Sequence, residues 1–436
     1  MFRVIAAFMA VASCASIAQA QTAAPSSQAA TEPPFTLERA LVLGGAVSPS
    51  LAAGTAGVQA ATAGRSVAAL RPNPTIVAET ENVAGTGSYR GFRSSETTAG
   101  LALPIELGGK RSARIAVADA QIDRARIGAA IAVADLTLAI TQTYIEAAAA
   151  ERRLIVAREQ AGLAAEGARA ARVRVTAGAA SPIEQQRAEV LRINAETTVE
   201  RAARSAELAR ANLARLIGQP VTGPLDAAWF ERIGGYGPTQ LIAAEGTLAL
   251  AAATADARTA SAQVRLARAQ RIPDVTVSAS ARRLEATNDV AAVFGVSVPI
   301  PVFNNGRAAV AQAQAQATQA EAQRRLALLE AERAIASAQA DLANAATTAR
   351  TAGGPALTAA AEAARIARIG YSAGKFSQLD LLEAERTLRE TRTAATDALA
   401  AYHDAEARLA RLTAPATLSA ELTPSVARPA LPGDIR

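Results

Sequence analysis

The sequence Leu101-Ala-Leu-Pro-Ile-Glu-Leu decides the fold, because a related sequence, Val296-Ser-Val-Pro-Ile-Pro-Val, follows 195 residues later. A second pair keeps nearly the same spacing. Gly178-Ala-Ala-Ser-Pro-Ile-Glu is matched by Gly374-Lys-Phe-Ser-Gln-Leu-Asp, 196 residues further on. Two landmarks with one spacing indicate an internal duplication. Each copy is predicted to contain two strands, a long helix, a tight turn and a returning helix.

Two strands are predicted in each copy, after a proline that ends the preceding helix. The first strand covers 75–83 in copy one and 275–284 in copy two. In the second strand, apolar residues take every other position. They are Ala99, Leu101, Leu103 and Ile105 in copy one, and Phe294, Val296, Val298, Ile300 and Val302 in copy two. This alternation suits a barrel wall between water and lipid, and it also suits a half-buried sheet on a soluble core.

The number of strands limits how a barrel would form. Four strands per chain are too few for a membrane barrel, which has about eight or more. Other copies of the chain would have to complete it, so that two copies supply about eight strands and three supply about twelve. The connections 84–95 and 285–289 would then be the outer loops.

A very long helix is predicted after each strand pair, over 112–175 in copy one and 307–371 in copy two. A helix of about 65 residues is roughly 100 Å long, more than a small globular domain buries. The second helix contains Gly353-Gly354-Pro355, whereas the first has Ala157-Arg158-Glu159 at the matching positions. We therefore expect a kink in the second long helix and none in the first.

A tight turn and a second helix are predicted to follow each long helix. A glycine suits the left-handed position that closes a helix. A serine with an acid three residues later predicts a capping box at the start of the next helix, and proline suits its first position. The residues concerned are Gly178, Ser181, Pro182 and Glu184 in copy one, and Gly374, Ser377 and Asp380 in copy two. Each copy is therefore a predicted hairpin of antiparallel helices.

The returning helices, 181–216 and 377–412, are too short to run the full length of their partners. Two other helices would supply the missing length. One begins after the N-cap residue Thr36 and ends near Leu70, and the other runs from near Pro238 to Arg271. We therefore predict that each returning column consists of two helices stacked end to end, with 218–237 at the joint.

The chain termini are predicted to lie outside the folded repeats. Residues 1–20 resemble a secretory signal peptide, with Ala18-Gln19-Ala20 as the cleavage site. A competing interpretation is lipidation at Cys14, which ends a lipobox-like sequence. No later apolar stretch approaches the roughly 20 residues of a membrane helix. The predicted segments are the signal peptide 1–20, a linker 21–34, repeat one 35–217, a connector 218–237, repeat two 238–414 and a disordered tail 415–436.

The composition disfavours catalysis, metal binding and nucleic-acid binding. Half of the residues are apolar but only 3% are aromatic, a composition that suits long helices. The formal charge is +6, yet the arginines are dispersed along helices and are not clustered with aromatic residues. The single histidine, His403, is interpreted as a helix-surface or interhelical residue, and the one cysteine would leave with the signal peptide. No cofactor, metal site or enzymatic activity is therefore expected.

Acidic residues flank the two tight turns: Glu184 in copy one, and Asp380, Glu383 and Glu385 in copy two. Glu184 and Asp380 are expected to cap helices, and the other two to lie on solvated faces. If copies of the chain surround an axis, these carboxylates would also form an acidic ring that favours cations at a constriction.

Two segments resemble the TolC-type outer-membrane efflux proteins. Tyr371-Ser-Ala-Gly-Lys-Phe-Ser-Gln-Leu-Asp-Leu-Leu-Glu-Ala resembles the family as a whole. Leu103-Pro-Ile-Glu-Leu-Gly-Gly-Lys-Arg resembles its CzcC-like branch, which serves cobalt, zinc and cadmium efflux. The resemblance covers about 35–412. It implies a mainly α-helical fold, in which a homotrimer shares one twelve-stranded β-barrel in the outer membrane and forms a long α-helical tunnel through the periplasm.

The resemblance also implies a function and partners. The chain would conduct substrate passively, and the energy would come from an inner-membrane pump of the resistance-nodulation-division (RND) type that acts through a periplasmic adaptor. The family's aperture residues match Tyr371, Asp380 and Glu383, with Glu184 at the neighbouring tip. Phe376 stands where some members have an arginine, which argues against a Tyr-to-Arg latch. The hairpin-tip residues expected to contact the adaptor are Gly178, Ser181, Gly374, Lys375 and Ser377.

Two alternatives remain at this point. A multidrug efflux duct or a type I secretion exit duct would have the same plan with another pump. A soluble periplasmic coiled-coil adaptor, in which the four strands form a small sheet, belongs to a different class. A barrel must partition into the outer membrane, whereas an adaptor without a lipid anchor need not.

Overall fold

The computed structural model describes residues 33–234 and 242–416, so the predicted signal peptide, Cys14, Pro238 and most of the predicted tail lie outside the described residues. Copy one consists of α1 (Leu37–Val47), α2 (Pro49–Ala68), β1 (Thr75–Glu81), β2 (Glu96–Ile105), α3 (Lys110–Thr176) and α4 (Pro182–Ile217). After the short α5 (Ala227–Phe230), copy two consists of α6 (Leu248–Ala269), β3 (Val275–Leu284), β4 (Asp289–Ser297), α7 (Arg307–Thr351), α8 (Leu357–Ser372) and α9 (Gln378–Leu412).

The long helices form two antiparallel hairpins, as predicted. Helix α3 contains 67 residues and packs against α4, while α7 and α8 pack against α9. At 1.5 Å per residue, α3 is about 100 Å long. Each copy also contains the two predicted strands and the returning helix, so the duplication predicted from the sequence is present in the fold.

The helices that precede the strands extend the returning columns, as predicted. In copy one the end of α4 meets α1, where a Cβ added to Gly218 would stand 2.8 Å from a methyl carbon of Val47. In copy two the amide of Leu248, at the start of α6, donates to the Ala414 carbonyl oxygen beyond α9 at 3.3 Å. The first of these columns is not straight, since α1 and α2 bend by 50° at Ser48.

Two predicted boundaries of copy two are wrong. Helix α6 begins at Leu248 rather than near Pro238, because Thr247 accepts a hydrogen bond as its N-cap and the preceding Gly246 has a left-handed backbone (φ 84°). The predicted disordered tail begins too early, because Pro415 pairs with Thr247 in an isolated antiparallel bridge.

The predicted kink is present only in the second hairpin. Between α7 and α8, Ala352–Ala356 form a π-helical break. Gly354 has a non-helical backbone (φ −103°, ψ −105°), and Pro355 has no amide hydrogen to donate. Helix α3 continues without interruption past the matching residues of copy one.

The four strands form one antiparallel sheet in the order β1-β2-β3-β4. A single row across it contains Ile76, Leu101, Ala279 and Phe294. This face is apolar and exposed: Ile76 is 83% exposed, Leu101 56% and Phe294 81%. Strands β2, β3 and β4 have nine to ten residues, the length of a tilted membrane-spanning strand, and β1 has seven.

The opposite face of the sheet is polar. Arg282 of β3 pairs with Glu96 of β2 at 2.9 Å and with Glu81 of β1 at 3.1 Å, and its Nε donates to the Thr98 hydroxyl. The contrast between the two faces supplies the alternation that the sequence predicted.

The predicted extent of the last strand is wrong. Strand β4 ends at Ser297, opposite Thr276. Pro299 and Pro301 explain the early end, because proline has no amide hydrogen for a strand ladder. The residues that were expected in the strand but follow it are Val298, Ile300 and Val302.

The main core lies where the first hairpin meets the connector. Tyr144 of α3 is fully buried; its hydroxyl donates to the Phe35 carbonyl oxygen at 2.7 Å and accepts from the Asp226 amide at 3.0 Å. Burial raises the pKa of Tyr144 to about 12. Contrary to the sequence-based prediction, α3 does contain a stretch that is long and apolar enough to cross a membrane. Ile140, Tyr144 and Ile145 of α3 pack in the main core.

The two joints between sheet and long helix differ in chemistry. In copy one, Arg114 binds both carboxylate oxygens of Glu106, and Lys110 binds Asp274 at 2.7 Å. The hydrogen bond from Arg114 lowers the pKa of the Glu106 carboxyl. Burial opposes ionisation of Asp274, but the hydrogen bonds from Lys110 and from the Leu107 amide outweigh it and lower the pKa of this carboxyl too.

The joint of copy two is built on asparagine side chains, and Arg271 Nε donates to the Asn305 carbonyl oxygen at 3.3 Å. Asn304 accepts from the Gly306 amide and Asn305 accepts from the Arg307 amide, both at 3.1 Å. These short-range side-chain hydrogen bonds close the turn before α7.

Candidate functional site

The candidate site lies at the hairpin tips, far from the sheet. Both long helices end as predicted at a left-handed glycine, Gly178 and Gly374, each with φ 72°. The Ala179 amide donates to the Arg174 carbonyl oxygen, and the Lys375 amide to that of Gly370, both at 2.8 Å. This pattern satisfies carbonyl groups that a helix end leaves free.

The capping box predicted at both tips forms at only one. At the start of α9, the Ser377 hydroxyl accepts from the Asp380 amide at 3.2 Å, and the Asp380 carboxylate accepts from the Ser377 amide at 2.9 Å. The hydrogen bonds from the Ser377 hydroxyl and amide lower the pKa of Asp380.

The predicted box at Ser181 and Glu184 is wrong. The Ser181 side chain makes no capping hydrogen bond, and the Glu184 amide donates to the Ser181 carbonyl oxygen at 2.9 Å instead. The Glu184 side chain is turned inward, where its Oε2 is buried without a hydrogen-bond partner among the described residues. Its carboxylate therefore does not reach back to the Ser181 amide.

Two contacts join the tips of the two hairpins. The guanidinium of Arg174, at the end of α3, lies 4.7 Å from the ring centroid of Tyr371, at the end of α8. Its Nη1 also donates to the Tyr371 carbonyl oxygen at 3.4 Å. Beside it, Gln378 Nε2 donates to the Glu184 carbonyl oxygen at 3.2 Å. A cation over an aromatic ring is attracted by the ring quadrupole.

Arg174 was not among the residues predicted from the sequence. Phe376 occupies the position at which some family members have an arginine. It packs on Gly370, where an added Cβ would stand 2.1 Å from the Phe376 ring. The arginine that meets Tyr371 comes from the other hairpin. By the 196-residue offset Arg174 matches Gly370 itself, so comparing the copies gave no signal for it.

The predicted aperture residues divide into two environments. Tyr371 is buried against Arg174, whereas Asp380 and Glu383 are exposed and lie one helical turn apart on α9. The expected adaptor contacts are all exposed as well: Gly178, Ser181, Gly374, Lys375 and Ser377.

A cleft of about 970 Å³ separates the two hairpins above the tips. Tyr371 and Gln378 line its lower end, and Glu383 and Arg386 line its side. Arg153, which lines the cleft, binds Asp397 at 2.6 Å, and Arg392 binds Glu159 at 2.9 Å, so two ion pairs join the hairpins. Ion pairs thus join the hairpins in the region of the cleft.

His403 is an interhelical residue, one of the two alternatives that the sequence analysis gave. It is 3% exposed, its ring stacks on Trp229 at 4.4 Å, and its Nε2 lies 3.0 Å from the Phe230 carbonyl oxygen. Within residues 33–234 and 242–416, no three His, Cys, Asp or Glu side chains are grouped so that they could hold a metal ion.

Comparison with known proteins agrees with this architecture. The family model "Outer membrane efflux protein" matches residues 45–219 and 242–414, once in each copy. The chain is 32% identical to the cobalt-zinc-cadmium resistance protein CzcC of Cupriavidus metallidurans over 82% of this chain and 85% of that protein. It is also 32% identical to the nickel and cobalt resistance protein CnrC of the same organism, over 64% of this chain and 66% of that one.

The fold also matches solved structures. The outer membrane protein VceC of Vibrio cholerae superposes with a TM-score of 0.71 at 21% identity, over 87% of this chain and 96% of VceC. The two family matches, which cover most of the sequence, place the protein in the outer membrane. The chain belongs to the outer membrane efflux protein family.

Proposed function

We propose that three copies of this chain form a passive outer-membrane duct for heavy-metal cations, fed by an RND pump through a periplasmic adaptor. The proposal of a heavy-metal cargo rests on the 32% identity to a cobalt-zinc-cadmium resistance protein over 82% of the chain. Energy would come from the pump, and this chain would supply the aqueous path.

The two faces of the sheet support a membrane-spanning wall. The apolar row with Ile76 and Phe294 would face lipid, and the polar row with Arg282 would face water. Strands β1 and β4 are the two edges, and four strands do not close on themselves. Three copies would join edge to edge into about twelve strands.

The helices would form the tunnel and its gate. We place the closed end at the tips, where the Arg174–Tyr371 contact joins the hairpins and the exposed Asp380 and Glu383 would form an acidic ring with their symmetry copies. Glu184 would lie behind this ring. The adaptor would bind the exposed tip residues Gly178, Ser181, Gly374, Lys375 and Ser377 and separate the hairpins.

We also propose that the division into repeats 35–217 and 238–414 is functional, with the connector 218–237 forming a belt around the middle of the tunnel. Hydrogen bonds from the connector to both hairpins support this role. Asp226 is bound to Tyr144 of the first hairpin, and the Gly234 amide donates to the Tyr402 hydroxyl of the second at 3.0 Å.

The test is to extract the protein from outer membranes in mild detergent and to measure its subunit number and its conductance in planar bilayers. We expect a trimer with a small conductance that rises when Asp380 and Glu383 are both replaced by Ala. Replacing Glu330 and Asp341, exposed acids of α7, by Ala is the matched control and should leave the conductance unchanged. A water-soluble monomer without conductance would refute the duct.

The cargo is tested separately in cells. Deletion of the gene should lower tolerance to zinc, cobalt or cadmium, and re-expression should restore it. Loss of tolerance to organic drugs alone, with unchanged metal tolerance, would contradict the metal cargo and favour a multidrug duct.

A further inference from the structure

We propose that residues 298–303, between β4 and α7, are a membrane anchor that lies in the lipid interface on the periplasmic side of the outer membrane. We call this sequence the interface segment. The inference rests on the proposed function, because it requires the strands to cross the membrane.

The side chains of the interface segment are apolar and exposed. Val298 is 48% exposed, Ile300 82%, Val302 72% and Phe303 103%, and the residues between them are Pro299 and Pro301. A continuous run of exposed apolar side chains indicates a surface that lipid or another protein covers. The run carries no charge.

The backbone of the interface segment suits the edge of a bilayer. An amide hydrogen without an acceptor is costly in hydrocarbon. Pro299 and Pro301 have no amide hydrogen, and the Val302 amide donates to the Ile300 carbonyl oxygen at 2.9 Å. Most of the donors between residues 299 and 302 are therefore absent or satisfied without a strand partner.

Its position continues the exposed face of the sheet. Phe294 and Val296 of β4 are 81% and 71% exposed on the face proposed to meet lipid. The strand ends at Ser297, one pair before the end of the neighbouring strands at Ile105 and Val275. The interface segment therefore begins where the sheet ends, at the level of the headgroups, where apolar and aromatic side chains are enriched.

The matching residues of copy one make strand and polar contacts within the chain. Ile105 remains in β2, Glu106 binds Arg114, and the Leu107 amide donates to Asp274 at 3.1 Å. Ile105 and Leu107 are 41% and 39% exposed beside these charged pairs, whereas Ile300 and Val302 are 82% and 72% exposed without any. The more exposed, uncharged joint of copy two favours lipid as its cover. A neighbouring copy of the chain is the competing cover.

The test is quenching of tryptophan fluorescence in phosphatidylcholine vesicles brominated either near the headgroup or near the chain end. The reporters are Phe303→Trp in the interface segment, Phe294→Trp on the strand and Phe376→Trp at the hairpin tip, each in the full chain. Ile300→Trp is a second reporter for the segment. The native Trp229 stays in place beside Tyr144 and His403, and the signal of the parent protein is subtracted.

We expect Phe303→Trp to lose more fluorescence to shallow bromines than to deep ones, Phe294→Trp to lose more to deep ones, and Phe376→Trp to lose none. If Phe294→Trp is quenched but Phe303→Trp and Ile300→Trp are not, the segment is covered by protein or water and the inference is wrong. If none is quenched, the strands do not cross the membrane and the proposed function itself fails.

Discussion

The two hairpins have the same topology, but they differ in the continuity of the long helix and in the way it is joined to the sheet. The first contains α3, an unbroken helix of 67 residues, and is joined to the sheet by the charged pairs of Glu106 and Asp274. The second is interrupted at Ala352–Ala356 and joined to the sheet by asparagine turns. The two copies therefore share the order and direction of their elements. A few residues in each copy determine whether its long helix is continuous and how that helix is joined to the sheet.

The largest effect is expected from giving the first hairpin the break of the second. Replacing Ala157 and Arg158 by Gly and Glu159 by Pro should destabilise the protein by about 5 kcal/mol, since an internal proline costs about 3 kcal/mol and each of the two glycines about 1. The measurement is the guanidinium unfolding midpoint in detergent, followed by far-UV circular dichroism.

The control for this variant replaces Arg158 and Glu159 by Ala. It removes the ion pair of Glu159 with Arg392 but keeps a helix-forming backbone. An equal loss of stability in the control would show that side-chain contacts, and not helix continuity, distinguish the first hairpin.

The next largest effect is expected at the two joints between the sheet and the long helices, where mutations should cost different amounts of stability. Glu106→Gln leaves Arg114 without its charged partner and should cost about 2 kcal/mol, the range for hydrogen bonds to charged groups. Asn304→Ala removes one neutral hydrogen bond and should cost about 1 kcal/mol. Thermal unfolding of the two variants compares the joints directly, and equal shifts would remove the distinction between them.

The joints should also differ in their response to acid. The pKa of Glu106, whose ordinary value is 4.5, is lowered in the folded protein, as is that of Asp274. Their contribution to stability is therefore complete above about pH 4.5 and is lost as the pH falls through the lowered values. The Leu107 amide, bound to Asp274, should lose hydrogen-exchange protection in acid, after correction for the intrinsic rate. The Gly306 amide, bound to Asn304, should keep it.

The contact between the tips should have a smaller effect on stability and a visible one on gating. Arg174→Ala removes a cation–π contact of about 1 kcal/mol, which would favour separated hairpins roughly fivefold. Single-channel recording should show a higher open probability. The control is Arg172→Ala, because Arg172 is an exposed arginine two residues away on α3. An unchanged open probability would mean that the gate lies elsewhere.

The sequence predicted those features that depend on neighbouring residues. Gly178 and Gly374 closed their helices because glycine adopts a left-handed backbone, and Gly353-Gly354-Pro355 broke α7 because proline lacks an amide hydrogen. The ends of β4 and the start of α6 were missed by several residues, because proline and threonine acted more strongly there than the apolar pattern suggested.

Features made by distant residues were not predicted. The contact of Arg174 with Tyr371 joins positions 197 residues apart and depends on how the hairpins are oriented. The role of Glu106 in the first joint requires Arg114 and Asp274 to meet at the sheet end, which no local spacing indicates. Such residues become visible only once the packing of helix against strand is known.

The serines before the returning helices show the limit of local reasoning most directly. The same spacing of serine and acid predicts a capping box at both tips, and only Ser377 forms one. Ser377→Ala should therefore cost about 1 kcal/mol, the usual value for an N-cap serine, whereas Ser181→Ala should cost close to nothing. Unfolding midpoints of this pair measure the difference. Equal losses would mean that the Ser181 hydroxyl caps α4 in solution, and the two tips would then be alike.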